Sequence, residues 1–174
     1  MKEYSCCEII VEYLIREKVP YVAGVPGHGI LAFLDAFHGR EDKIKIITVR
    51  HEQSAVHLAD GYYRACGKPL AVFTSVGPGA INTLVGIGTA FCDSIPIIVF
   101  TANCPTYMFE RGCIQEIERN HWADFPNMAR PIVKRTWQIT NIKQIPDVLQ
   151  RAFRVATSGR PGPVHIDLPM DVQA

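Results

Sequence analysis

The chain has 174 residues, 48% of them hydrophobic and 20% charged, ordinary proportions for one globular domain with a substantial core. A formal net charge of +1, with no stripe of Lys and Arg along any expected helix, carries no signature of nucleic-acid binding. The six cysteines form no C-x-x-C and no regular spacing, and the opening "MKEYSCCEII" has no apolar signal core, which together point to free thiols in a reducing cytoplasm.

In chain order, Ser5 followed by Glu8 has capping-box spacing and opens an amphipathic helix to about Lys18. "YVAGVPG" reads as a short buried strand, Tyr21 to Gly24, running into a Gly-Pro loop. Residues 30–38 are helical in pattern, and "IKIITV" (44–49) is a second strand. A helix over 51–66 places Ala55, Leu58, Ala59 and Tyr62 on one face, with Gly67 closing it. "LAVFTS" (70–75) is a third strand, "AINTLVGIGTAFC" (80–92) a helix, and "PIIVFTA" (96–102) a fourth strand. The stretch 103–127 is long, polar and irregular, the kind of loop that is commonly functional. "PIVKRTW" (131–137) is a weak fifth strand, Asn141 caps a helix to about Ser158, and "GPVHIDLP" (162–169) is a sixth strand. Strands alternate with helices and are apolar on both faces, so the expected fold is one α/β domain, a six-stranded parallel sheet with helices on each side.

The uncharged run from Pro69 to Cys92 is long enough to span a bilayer. Gly77-Pro78-Gly79 and Asn82 interrupt it, and a buried strand, a turn and a buried helix explain it better than a membrane span. "RHEQSAVHLADGYYR" (50–64) imitates a zinc-protease helix, but His51 and His57 are six residues apart, about 240° around a helix, and cannot share a metal.

Ligands of open α/β sheets gather at the carboxyl ends of the strands. Loops 24–29 "GVPGHG" and 77–82 "GPGAIN" lie there, and neither satisfies the dinucleotide fingerprint; "GYYRACGKP" (61–69) only mimics a phosphate loop. An NAD- or flavin-binding oxidoreductase domain is therefore disfavoured. Glu52 follows a strand directly, at a helix N-terminus near this edge. It is either a site carboxylate or a first-turn residue stabilised by the helix dipole, and on position alone the second reading has the stronger claim. His28 on a glycine loop reads equally as a turn residue, and His57 as a packing histidine.

Taken together, "GVPG" (24–27), "VRHEQSAVHLADGYYRACGKP" (49–69), "TSVGPGAIN" (74–82), "DSIPIIVFTA" (93–102) and "GRPGPVHIDLPMDV" (159–172) resemble, in order and spacing, the N-terminal, pyrimidine-binding domain of thiamine diphosphate-dependent enzymes. Within that family the wording is most like the acetolactate synthase large subunit, and the likeness runs from about Ser5 to Val172. The resemblance implies that Glu52 is the activating glutamate, which shares a proton with N1′ of the cofactor's aminopyrimidine so that the 4′-nitrogen can remove the thiazolium C2 proton. It implies an apolar surrounding for Glu52, favouring the protonated form. It also implies that Val25, Pro26 and Gly27 lie against the ring and that Pro78 and Asn82 border it. Gln115 matches a glutamine near the substrate, although Ile114 replaces the family's Phe. His28 stands where relatives face the substrate with Asp, Ser or Gly, and is either an acid/base or a plain loop residue.

The reaction so implied is decarboxylation of a 2-oxo acid such as pyruvate with C–C bond formation, as in branched-chain amino acid biosynthesis. The metal-diphosphate motif, Gly-Asp-Gly followed by Asn, is missing from residues 1–174, so these are expected to form the pyrimidine domain alone. Mg2+ would be held by a diphosphate-binding domain of a neighbouring subunit, and FAD by a middle domain. An excised domain is expected over a naturally separate subunit of a split 2-oxo acid decarboxylase. A non-catalytic binding or regulatory module is a further alternative, against which the retained Glu52 argues. The segment 116–131 is longer than in acetolactate synthases, which loosens the substrate assignment. The isolated chain is expected to be an inactive homodimer.

Overall fold

A computed structural model describes residues 4–113, 115–117 and 124–174. The strands are β1 (Tyr21–Gly24), β2 (Lys45–Thr48), β3 (Leu70–Thr74), β4 (Ile97–Asn103), β5 (Thr136–Gln138) and β6 (Val164–Pro169). They form one six-stranded sheet in the order β2-β1-β3-β4-β6-β5, and every pairing is parallel. The central strands β3, β4 and β6 are buried along their whole length, while the edge strands β2 and β5 are partly exposed. That difference follows from position, since only a central strand is covered on both faces and along both edges.

The helices are α1 (Cys6–Arg16), α2 (Leu31–Asp35), α3 (Glu52–Cys66), α4 (Pro78–Ile81), α5 (Leu84–Cys92), α6 (Phe125–Ala129), α7 (Ile145–Thr157) and α8 (Met170–Gln173). Parallel crossovers are right-handed, so the direction of travel along the sheet decides the face each helix covers. From β1 the chain moves outward to β2, and from β2 it turns back through α3 to β3. The helices therefore divide between both faces. α3 packs on β1, β3 and α5, whereas α7 packs on β4, β6 and α1.

Local chemistry sets the helix ends. Ser5 Oγ accepts from the Glu8 N–H, and Glu8 reaches back to the Ser5 N–H, closing the expected capping box of α1. Gly67 ends α3 with φ of 67°, the left-handed conformation that glycine adopts without penalty. Three elements differ from expectation. The helix expected over 80–92 is two pieces, because the buried Thr83 hydroxyl bonds back to the Ala80 carbonyl at 2.6 Å and turns the chain between α4 and α5. The segment expected to start a strand at 131 is a short 3-10 turn, Arg130–Ile132, and pairing with β6 begins only at Thr136. Pro131 has no N–H to give a ladder. The helix expected over 30–38 is shorter, α2 ending at Asp35, and a similar turn, His28–Ile30, precedes it.

Candidate functional site

The connections leaving β1 and β3, two neighbours in the sheet, run in opposite directions: one to β2, the other to β4. Such a reversal opens a crevice at the carboxyl ends of the two strands, where open α/β sheets bind ligands. Loops 24–29 and 75–82 line this crevice from its two sides. Glu52 enters from the third, four residues beyond Thr48, which pairs with Gly24.

Glu52 is half-buried at the first position of α3. The cap of that helix is supplied by its neighbour, as His51 Nδ1 accepts the Gln53 N–H at 3.2 Å. The Glu52 carboxylate instead reaches across to the second loop, where Asn82 Nδ2 donates to Oε2 at 2.9 Å. The other oxygen, Oε1, lies beside Gly79, and a β-carbon there would stand 3.2 Å from it. Glycine at this position leaves one carboxylate oxygen approachable while Asn82 orients the other. The hydrogen-bond partner of the half-buried Glu52 carboxylate is the polar Asn82.

Ser75, which the sequence pattern did not single out, joins the two loops. Its side chain lies under Gly27, where a β-carbon would come within 2.4 Å of Ser75 Cβ, and its Oγ accepts the Gly29 N–H at 3.3 Å. The usable signal was position alone, because Ser75 stands between a strand's carboxyl end and a glycine loop. Val25, Pro26, Gly27, Pro78 and Asn82 are partly or fully exposed on this rim.

Gln115 also reaches the crevice, through its backbone. Gly77 has φ of 53°, and a β-carbon on it would lie 1.7 Å from the Gln115 carbonyl oxygen, so only glycine permits this approach. Gln115 itself is exposed, with φ of 64°. Ile114 and part of the segment judged long, residues 118–123, lie outside the described residues. His28 is exposed at the start of its turn and makes no hydrogen bond to the described residues. His57 is exposed as well, its Nε2 3.1 Å from Gln53 Nε2.

A second polar cluster is buried between β4, β6 and β5. Asp167 Oδ2 accepts from Asn103 Nδ2 at 2.8 Å and Gln138 Nε2 at 3.0 Å, and Oδ1 accepts from Thr101 Oγ1 at 3.2 Å. Thr101 has one hydroxyl proton, and Asp167 takes it, so the Thr101 oxygen must receive its proton from His165 Nε2, 2.8 Å away. Nδ1 of the same ring then accepts from Thr136 Oγ1 at 2.6 Å. Burial holds His165 neutral, pushing it down to about 3, and pushes Asp167 up to about 6 against the pull of its three donors.

The thiamine pyrophosphate enzyme family, N-terminal TPP binding domain, matches residues 5–122 of this chain. The chain belongs to that family. It is 45% identical over 166 residues, 95% of its length, to a probable acetolactate synthase large subunit of Methanococcus aeolicus. It is 41% identical over 172 residues to the acetolactate synthase isozyme 3 large subunit of Escherichia coli K12, and 41% over 167 residues to the mitochondrial acetolactate synthase catalytic subunit of Saccharomyces cerevisiae. The chain spans 26%, 29% and 23% of the length of these three relatives. The resemblance carried by the loop motifs is thereby borne out.

Proposed function

We propose that this chain is the pyrimidine-binding domain of a thiamine diphosphate-dependent enzyme that acts on 2-oxo acids in the manner of acetolactate synthase. The observation that carries the reading is the Glu52 carboxylate at the sheet's reversal point, with Oε2 held by Asn82 and Oε1 left open beside Gly79. The donor set fits an aminopyrimidine. A flat ring needs small residues where it meets backbone, supplied by Gly27 and Gly79, and a carboxyl group that can share a proton with a ring nitrogen.

In this proposal Val25, Pro26 and Gly27 support one side of the ring, and Pro78 and Asn82 border the other. Glu52 holds a proton between Oε1 and the ring nitrogen, while Asn82 fixes the carboxylate's rotation so that Oε1 stays aimed. When bound, thiamine diphosphate would supply a nucleophilic carbon and an electron sink for decarboxylation of a 2-oxo acid. Gln115 and His28 face the substrate side, where His28 can exchange a proton with the reacting oxygen. Mg2+ and the diphosphate belong to a second domain of a neighbouring subunit, FAD to a middle domain of the whole protein, and the assembly is a homodimer in the cytoplasm. Two observations are compatible with that setting: among the described residues no disulfide is formed, and no helix is long and apolar enough to cross a membrane.

The test is Glu52→Gln, which keeps the shape and removes the shared proton. With the diphosphate-binding half supplied, hydrogen-deuterium exchange at C2 of bound cofactor should slow by about 10²–10⁴-fold, the range typical of a lost general acid–base group. Far-ultraviolet circular dichroism should not change. Unaltered exchange would return Glu52 to the role of a helix-end carboxylate.

A further inference from the structure

Helix α8 approaches the crevice loops from behind. Gln173 is 1% exposed, and its Nε2 donates to the Gly29 carbonyl at 2.7 Å and the Leu168 carbonyl at 2.9 Å. Both partners are acceptors only, so the amide nitrogen and not the amide oxygen must face them. Gly29 is thereby held at both of its polar atoms, since its N–H already donates to Ser75 Oγ. It also has little room to shift, because a β-carbon there would meet Val76 Cγ1 at 2.4 Å and Ala102 Cβ at 3.1 Å. Two residues earlier in the same helix, Asp171 accepts from the Thr106 N–H at 2.9 Å and from Thr106 Oγ1 at 2.6 Å. One short turn of chain therefore holds the loop after β1 and, separately, the loop after β4 that leads to Gln115.

We propose that Gln173 is a positioning residue for the cofactor-facing loop 25–28, acting through the peptide of Gly29. The inference rests on the reading of that loop as the support for the aminopyrimidine. Gln173 sets how far the loop stands from Glu52, and Asp171 gives the approach to Gln115 the same reference point. The nearest of the loop's residues, His28, is one peptide from the hydrogen-bonded carbonyl, so a shift at Gly29 moves it directly. No pattern near Gln173 announces this role, because its partner is 144 positions away in the chain.

Gln173→Met keeps the length and bulk of the side chain and removes the donors. Two measurements decide the matter: residue-resolved amide hydrogen exchange on the chain, and calorimetric affinity for thiamine diphosphate with magnesium once the diphosphate-binding half is supplied. Exchange at residues 27–30 should quicken, and affinity should fall, each by roughly tenfold, the scale of one hydrogen bond. Exchange in β4 and β6 should not change. A rise there in step with the loop would make Gln173 a general stabiliser and overturn the proposal, as would a loosened loop with undiminished affinity. If the parent chain, completed with the diphosphate-binding half, binds no thiamine diphosphate, the reading of the site fails, and unchanged exchange at 27–30 in the variant would separately refute the positioning role. Should Gln173→Met not fold, Ser75→Ala releases the other backbone polar atom of the same glycine, its N–H. It is expected to produce the same pair of changes, and a loop that stays protected would refute the proposal.

Discussion

Asp167 and His165 share Thr101 as a hydrogen-bond partner, yet burial pushes their proton affinities in opposite directions. For His165 the folded value of about 3 lies below the ordinary 6.5. The unfolded chain binds that proton first as pH falls, so this group costs stability between 6.5 and 3. For Asp167 the folded value of about 6 lies above 3.8, and the folded chain binds the proton first. Its contribution is fully present below 3.8 and is lost as pH rises to 6. The two slopes oppose each other across the window from about 4 to 6. Asp167→Asn removes one of them. Its stability relative to the parent should therefore rise with pH across that window, by about 1.4 kcal/mol per pH unit at most, and level off above it. Urea midpoints of both proteins from pH 4 to 8 provide the check. A difference independent of pH would mean that Asp167 titrates as an ordinary carboxylate.

At the scale of single elements, the helices that carry the site are held by their ends. α3 begins with His51 as cap and ends on Gly67 in the left-handed region, so its register, and with it the place of Glu52, is set twice. α1 has the complete capping box, and Glu8 is also 3.6 Å from the Arg40 guanidinium, which ties the helix start to the chain after α2. Ser5→Ala should cost about 1 kcal/mol and lower the melting temperature by about 2–4 °C. Calorimetry measures this directly, and an unchanged melting temperature would show that the first turn contributes nothing to global stability. Because α1 packs chiefly on α7 and contributes no residue to the proposed site, cofactor affinity should change little.

For the whole molecule, the crevice is open and its rim residues are exposed, while large apolar side chains such as Val85, at 63%, and Tyr107, at 66%, also face outward. Under the proposed function the chain supplies half of a cofactor site. The 174-residue chain should then self-associate, covering apolar surface with a second copy in twofold symmetry. It should show no turnover of pyruvate with thiamine diphosphate and magnesium alone. Sedimentation velocity and a carbon dioxide release assay test the two statements. A monomer that decarboxylates pyruvate unaided would contradict the assignment of the diphosphate half to another domain.

The architecture was legible because a parallel sheet leaves a strong imprint. Its strands are short apolar runs, its helices are amphipathic, and the two alternate. The capping box at Ser5, the closing Gly67 and β1 at Tyr21–Gly24 came out where local rules put them, since each depends on neighbours within a few residues. Local rules failed where a distant partner decided. β5 began late because its ladder with β6, nearly thirty residues on, opens only at the Thr136–His165 pair. The family was readable from loop motifs in order, but their geometry was not. Only the folded chain brings Asn82 to Glu52, thirty residues apart. In the same way it slides the Gln115 carbonyl over Gly77 and seats Gln173 against Gly29. Those contacts join loops at the ends of non-adjacent segments, and a one-dimensional pattern holds no record of which loop ends meet. Strand order and the right hand of the crossovers decide that, and both are properties of the assembled sheet.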